Sequence, residues 1–434
     1  MSRSARFDRG HTDDLMTFLA TSPTPYHAVA SAAERLEKAG FRQVQETDAW
    51  EGTTGGKYVL RGGALIAWYV PEGAEPHTPF RIVGAHTDSP NLRVKPIPDT
   101  GAYGWRQVAV EVYGGPLLNT WLDRDLGLAG RLSLRDGRER LVNVDRPLLR
   151  VPQLAVHLDR GVNSDGLKLN PQRHMQPIWG LGEAEEGDLI RFVAEEAGVE
   201  ASDIIGWDLM PHSVEPPAYL GRDRELVAGP RMDNLLSVHA GTAALAAVAT
   251  AGGSGTALPY IPVLAAFDHE ESGSQSDTGA DGPLLGTVME RSVLARGGSY
   301  EDRARALAGT VCLSSDTGHA VHPNYPERHD PTHHPRANGG PILKVNVNMR
   351  YATDGGGRAV FTAACERAGV PWQTFVSNNS MPCGTTIGPI TAARHGIKTV
   401  DIGAAIVSMH SARELCGADD PFLLANALAA FLEG

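Results

Sequence analysis

Acid and histidine gather at five places in the chain, each just beyond an apolar run or at the start of a helix. They are His86 and Asp88 in Ala85-His86-Thr87-Asp88-Ser89-Pro90, Asp233 in Pro230-Arg231-Met232-Asp233-Asn234, and the pair Glu270-Glu271 in Phe267-Asp268-His269-Glu270-Glu271-Ser272-Gly273. Asp316 follows Ser314-Ser315, and His410 sits in Ser408-Met409-His410-Ser411. Neighbouring side chains of a strand point to opposite faces, so Glu270 and Glu271 reach one site only if the strand ends there and the chain turns, as Gly273 allows. Singly, each residue has a plainer explanation: a solvated acidic loop for the glutamates, an N-cap for Asp233, a turn residue for Asp316, a hydrogen-bonded histidine for His410. Together they put two imidazoles and several carboxylates at one edge of a parallel sheet. Such a set cannot stay ionised without cations, and imidazole mixed with carboxylate suits zinc. Two ions account for six residues better than one: a bridging carboxylate, two private ligands for each ion, and one glutamate left to take a proton from a water between them.

The elements that must position these residues follow from hydrophobic spacing. Two helices open the chain, over residues 13–20 and 25–39, the second with Thr24 as N-cap, Pro25 at its first position and Gly40 past its end. Strands are expected at 58–61, 64–70 and 80–85. From about Val94 short β-like runs at 107–113, 129–134 and 141–144 alternate with turns, and no helical period returns until 188–197. Strands at 258–267, 308–314, 341–347, 372–376 and 399–402 then alternate with helices at 234–250, 281–294, 357–368 and 421–432. The Gly/Pro/His-rich piece 325–340 reads as a surface loop. This pattern gives an α/β fold, a mostly parallel central sheet flanked by helices, with ligand sites at the carboxyl ends of its strands. Residues 1–93 and 226–434 form its two parts, and 94–225 is a β-rich inserted domain.

The chain has 434 residues, 42% of them hydrophobic and 21% charged, as expected of a globular protein with a large core. A formal charge of −12 and no run of basic residues argue against nucleic acid or an anionic membrane as partner. Cys312, Cys365, Cys383 and Cys416 are scattered, with no CxxC pair, which indicates neither a disulfide framework nor a cysteine zinc site. Asp8, Asp13 and Asp14 interrupt the opening segment, and no apolar run has the length of a membrane span. A cytoplasmic location is the expectation. The chain has 16 histidines, several beside carboxylates, a composition metal sites use.

In residues and order, the five segments resemble the aspartyl aminopeptidase family of dizinc exopeptidases. So do Gly318-His319-Ala320-Val321-His322-Pro323-Asn324-Tyr325, Thr120-Trp121-Leu122-Asp123-Arg124-Asp125-Leu126, Leu154-Ala155-Val156-His157-Leu158, Lys344-Val345-Asn346 and Met381-Pro382-Cys383-Gly384-Thr385-Thr386. The resemblance spans nearly the whole chain. It implies two zinc ions per subunit, His86 and Asp316 on one, Glu271 and His410 on the other, and Asp233 bridging. It assigns Glu270 as general base, Asp88 as the partner orienting His86, and His157 as a residue that reaches a neighbouring subunit's site, where the plain alternative is a core histidine in an apolar strand. Met381 and Gly384 join the substrate-binding set. The inserted domain becomes a dimerisation domain, with dimers gathered into a tetrahedral homo-dodecamer. Ser272 departs from the pattern, standing where the family more often has an aliphatic residue.

The expected reaction is hydrolysis of the amino-terminal residue from peptides with a free amino terminus, with Asp or Glu as the preferred residue by resemblance. An acidic side chain needs a cation, and Lys344, in the apolar run 341–347, is the candidate; the alternative is a lysine that snorkels from a strand end. Rival readings are an aminopeptidase of broader or neutral specificity, a related dizinc deacylase or carboxypeptidase, and a metal-binding assembly protein without turnover.

Overall fold

The computed structural model describes residues 9–50, 54–255 and 258–434. Asp8, part of the opening acidic segment, lies outside them. A nine-stranded sheet runs in the order Arg42–Gln43, Gly55–Arg61, Ala64–Val70, Ile261–Phe267, Phe80–His86, Val311–Ser315, Lys398–Gly403, Ile342–Val345, Gln373–Val376. Its middle is parallel: Ile261–Phe267 and Val311–Ser315 both pair parallel with Phe80–His86, and Lys398–Gly403 extends the run. Antiparallel pairs, such as Ile261–Phe267 with Ala64–Val70, make the whole sheet mixed.

Helices cover both faces. Every residue of Ile261–Phe267 is buried, and alternate side chains serve two cores. Leu264 and Ala266, with Val83 and Ala85 of the next strand, pack beneath Met232–Gly253, Pro25–Lys38 and Asp420–Glu433. Ile261, Val263, Ala265 and Phe267, with Phe80 and Ile82, meet Leu284–Ala295 on the other side. Burial on both faces fixes the register, because a one-residue slip would exchange the two sets.

The helix Met232–Gly253 is apolar and long enough to cross a membrane, contrary to the expectation from the sequence, yet about two thirds of its most apolar window is buried (67%). The periodicity of a helix enclosed on most sides is apolar nearly all round, and such a helix passes the same compositional test.

Other differences from expectation have local causes. A strand was expected from 308, but helix Tyr300–Gly309 occupies its start, and the strand is Val311–Ser315. The helix opens with a reciprocal cap between Ser299 and Asp302 and buries only Ala306, too little for an apolar stripe. Helix Ile387–His395 was also not expected; Thr386 accepts from Gly388 N at 3.2 Å to start it and Gly396 ends it. Glycine, proline and alanine dilute its pattern.

A second core lies between Leu92 and Leu209. Strand Leu126–Leu134 pairs with Glu139–Leu149 and Ile204–Ser213, and a second sheet joins Asn91–Ala102, Trp105–Tyr113 and Ile178–Leu181. Helix Asp188–Ala197 closes this core with Leu189 and Val193. A five-stranded sheet, the small sheet beside the nine-stranded one, contains Ala218–Leu220, Leu226–Gly229, Glu414–Gly417, Ala405–Val407 and Gly318–His319.

Candidate metal centre

Three neighbouring strands of the large sheet deliver the first residues. Register pairs Phe267 with His86 and Ser314 with Gly84, so Asp88, Glu270, Glu271 and Asp316 emerge side by side from consecutive carboxyl ends. Asp233 and His410 come from elsewhere, which corrects the picture of one sheet edge: Asp233 follows Leu226–Gly229, and His410 lies in the turn between Ala405–Val407 and Glu414–Gly417, both in the small sheet. The backbone bends sharply here, with positive φ at Arg231, His269, Ser408 and His410.

The side chains form three triplets: two share Asp233, and the third joins His86 with Glu270 and Glu271. His86, Asp233 and Asp316 present ligand atoms within 4.8 Å of one another, and so do Asp233, Glu271 and His410. His86 Nε2 lies 3.6 Å from both Asp233 Oδ1 and Asp316 Oδ1. His410 Nε2 lies 3.3 Å from Asp233 Oδ2 and 3.4 Å from Glu271 Oε2. Both imidazoles use their other nitrogen as a donor: His86 Nδ1 to the Asp88 carbonyl at 3.0 Å and His410 Nδ1 to the Gly115 carbonyl at 2.9 Å. In the neutral ring that leaves an Nε2 lone pair facing carboxylate oxygens on each side.

Asp233 Oδ1 and Glu271 Oε1 are buried with no hydrogen-bond donor. Acceptors facing acceptors without a donor are costly when buried, and a cation between them resolves both histidines and both orphaned oxygens. The donor set of imidazole and carboxylate therefore fits zinc.

Electrostatics point the same way. Burial, with Asp316, Asp88 and Asp233 adding to it and His86 opposing, pushes Glu270 up to about 8. Burial likewise pushes Glu271 well above its ordinary value, with Asp233 reinforcing it. For His86, burial favours the neutral ring, but its contacts with Asp233, Asp316 and Asp88 outweigh that and hold it well above the usual range. Without a cation these groups retain protons; a divalent ion displaces them.

Two further carboxylates brace the arrangement. Asp88 is fully buried, and its oxygens accept from the backbone N–H groups of Glu270 and Glu271, each at 3.1 Å, and from the Tyr113 hydroxyl at 2.6 Å. Glu414, 2% exposed, accepts from Asp233 N at 3.0 Å and His410 N at 2.8 Å. The sequence offered no reason to single out Glu414: it sits in a strand, away from any strand-end pattern.

Comparison with known proteins decides the family. The model of the aminopeptidase I zinc metalloproteases, M18, matches residues 18–432. The chain belongs to the M18 family of zinc aminopeptidases. It is 83% identical to a probable M18 family aminopeptidase 2 of Streptomyces coelicolor over the full length of both chains (100% of each). Among solved structures, the Ape4 and Nbr1 complex contains a chain that superposes with a TM-score of 0.94 at 34% identity, over 100% of this chain and 88% of that one. The S. cerevisiae mApe1 dodecamer gives 0.86 at 29% identity, over 98% and 96%.

In this M18 hydrolase, of the remaining expected residues, Lys344 lies beside the centre and the others lie apart from it. Lys344 is 2% exposed and does not snorkel: its Nζ donates to the Thr317 carbonyl at 2.6 Å and lies 3.7 Å from Asp316 Oδ2. Met381 lines a cavity of about 490 Å³ with His319, His322, Arg328, His329 and Ser408, and Arg328 Nη1 donates to its sulfur at 3.6 Å. Gly384 is exposed, outside that lining, with open space where a Cβ would stand. His157 is outside the cluster as well. The plain alternative, a core histidine in an apolar strand, does not hold for it: it is exposed on a turn beside exposed Leu154, Val156 and Leu158. The expected surface loop 325–340 contributes Arg328 and His329 to the cavity wall, a role that loop composition alone did not signal.

Proposed function

We propose that this aminopeptidase works with two zinc ions per subunit, His86 and Asp316 holding one, Glu271 and His410 the other, and Asp233 bridging. The observation that carries the reading is the pair of triplets sharing Asp233, each with an Nε2 lone pair turned inward. Zinc held by these residues would supply Lewis acidity and would acidify the attacking water. Glu270, left over from both ligand sets, accepts that water's proton and passes it to the leaving amine. Asp88 holds Glu270 by its backbone and His86 by its ring, so base and ligand keep a fixed separation. The substrate's free amino group meets the carboxylate-rich site.

The preferred amino-terminal residue in this reading is Asp or Glu. Arg328 is the cation of the cavity beside Ser408, and His319, His322 and His329 line it as hydrogen-bonding groups; Lys344, outside that lining, sets a buried cation next to Asp316, and these groups support an acidic side chain over an aliphatic one. Rates on peptides beginning with Asp, Glu or Leu, and on an amino-blocked peptide, test it. The expected result is Asp and Glu ahead of Leu, no cleavage of the blocked peptide, and about a tenfold rise in KM for the Asp and Glu peptides, with Leu unchanged, in Arg328→Ala. Preference for Leu contradicts the acidic specificity, and cleavage of the blocked peptide favours a deacylase.

Assembly belongs to the same proposal: dimers formed through the region of the second core, gathered into a tetrahedral dodecamer, in the cytoplasm. The relative described as a dodecamer supports it, as do the exposed Leu154, Val156 and Leu158, which a neighbouring subunit would cover while His157 enters its site.

A further inference from the structure

The loop Tyr113-Gly114-Gly115 leaves the second core and crosses directly over the metal centre, and each of its residues meets a different member of that centre. Tyr113 ends strand Trp105–Tyr113, and its hydroxyl donates to Asp88 Oδ2 at 2.6 Å. Gly114 has φ +68°, and a Cβ there would stand 3.1 Å from Glu271 Cβ and 3.3 Å from Pro90 Cα. The Gly115 carbonyl accepts from His410 Nδ1 at 2.9 Å. The next residues continue the attachment: Leu117 N donates to the His410 carbonyl, and Thr120 Oγ1 accepts from Ala412 N, both at 2.9 Å.

We propose that Tyr113-Gly114-Gly115 is a positioning strap, through which the second core holds Asp88, Glu271 and His410 in the arrangement that binds metal. The proposal rests on the reading of His410, Glu271 and the Asp88-held His86 as parts of a zinc centre. Each contact has a distinct physical task. The Gly115 carbonyl fixes the tautomer of His410, so that Nε2 and not Nδ1 carries the lone pair. The Tyr113 hydroxyl occupies the Asp88 oxygen that also receives Glu271 N, which keeps Asp88 from rotating away from His86 and from the Glu270-Glu271 backbone. Gly114 lets the loop pass where a Cβ would crowd Glu271 and Pro90 and force one of them to shift, and its left-handed backbone suits glycine. Tyr113 is itself held in place, with the Arg93 guanidinium 3.9 Å from its ring centre. Its substitution by phenylalanine therefore removes the hydroxyl and leaves the stacking.

The test is a zinc competition titration of the purified full-length protein against a chromophoric chelator, with thermal unfolding of the metal-free protein alongside. The wild type is expected to hold two zinc ions. Tyr113→Phe should unfold at the wild-type temperature when metal-free, yet bind zinc about tenfold to a hundredfold more weakly, with kcat lowered and KM nearly unchanged. Gly114→Ala, which presses on Glu271, should also weaken zinc by at least tenfold. Wild-type zinc affinity in both variants overturns the strap while leaving the zinc reading intact. A wild-type protein that binds no zinc overturns both, since nothing remains to be positioned. If Tyr113→Phe loses stability when metal-free and Gly114→Ala keeps full zinc affinity, the tyrosine is a structural residue only and the proposal falls.

Discussion

In the nine-stranded sheet, Ile261–Phe267 and Phe80–His86 send alternate residues into two cores, whereas Glu139–Leu149 of the second core buries Val142, Val144 and Leu149, packs half-buried Leu148 beside them and leaves the other residues in solvent. A strand enclosed on both faces has one permitted register, so a short side chain just past its end is placed closely enough to bind metal. A strand with one free face keeps that face for another surface. The difference in burial thus matches a division of labour: the large sheet, helped by the small one, supplies the proposed ligands, and the second core supplies the loop that spans them and the exposed turn bearing His157.

The largest effect expected from this comparison is at its meeting point. Asp233→Ala removes the one carboxylate common to both triplets; it should abolish measurable hydrolysis and reduce zinc, by elemental analysis, below one ion per chain. Retention of both ions would falsify the shared-ligand arrangement. A smaller and more discriminating effect comes from paired core truncations. Leu264→Ala under the large sheet and Leu128→Ala in the second core each remove a fully buried side chain, 0% exposed in both cases, and each should cost about 2–5 kcal/mol. Leu264→Ala should weaken zinc together with stability. Leu128→Ala should lower the melting temperature while zinc affinity changes by less than tenfold, because the strap and not the core interior touches the centre. Equal loss of zinc affinity in both would erase the distinction between the regions.

Much of this was legible in the sequence, for identifiable reasons. His86, Glu270, Glu271 and Asp316 follow apolar runs that can only be buried strands, and the pattern of acid after apolar carries the information. Asp233 and His410 were found by residue type and by family resemblance, although the small sheet that presents them was not foreseen. Tyr113, Gly114, Gly115 and Glu414 left no comparable trace. Their importance comes from a hydroxyl, an absent Cβ, a backbone carbonyl and a buried carboxylate acting on backbone amides, and none of these roles alters hydrophobic spacing. In its plain alternative His157 reads as a strand residue because Leu154, Val156 and Leu158 mimic strand alternation, whereas in the single chain they are exposed around a turn.

The claim on which the mechanism depends is that Glu270 moves a proton and holds no metal. Glu270→Gln keeps the size of the side chain and the backbone N–H that Asp88 accepts, so zinc content and turnover can be measured on one preparation. The expected result is two zinc ions per chain, as in the wild type, with kcat lowered about 10²- to 10⁴-fold. Loss of an ion, or a kcat within a few-fold of the wild type, would contradict the assignment.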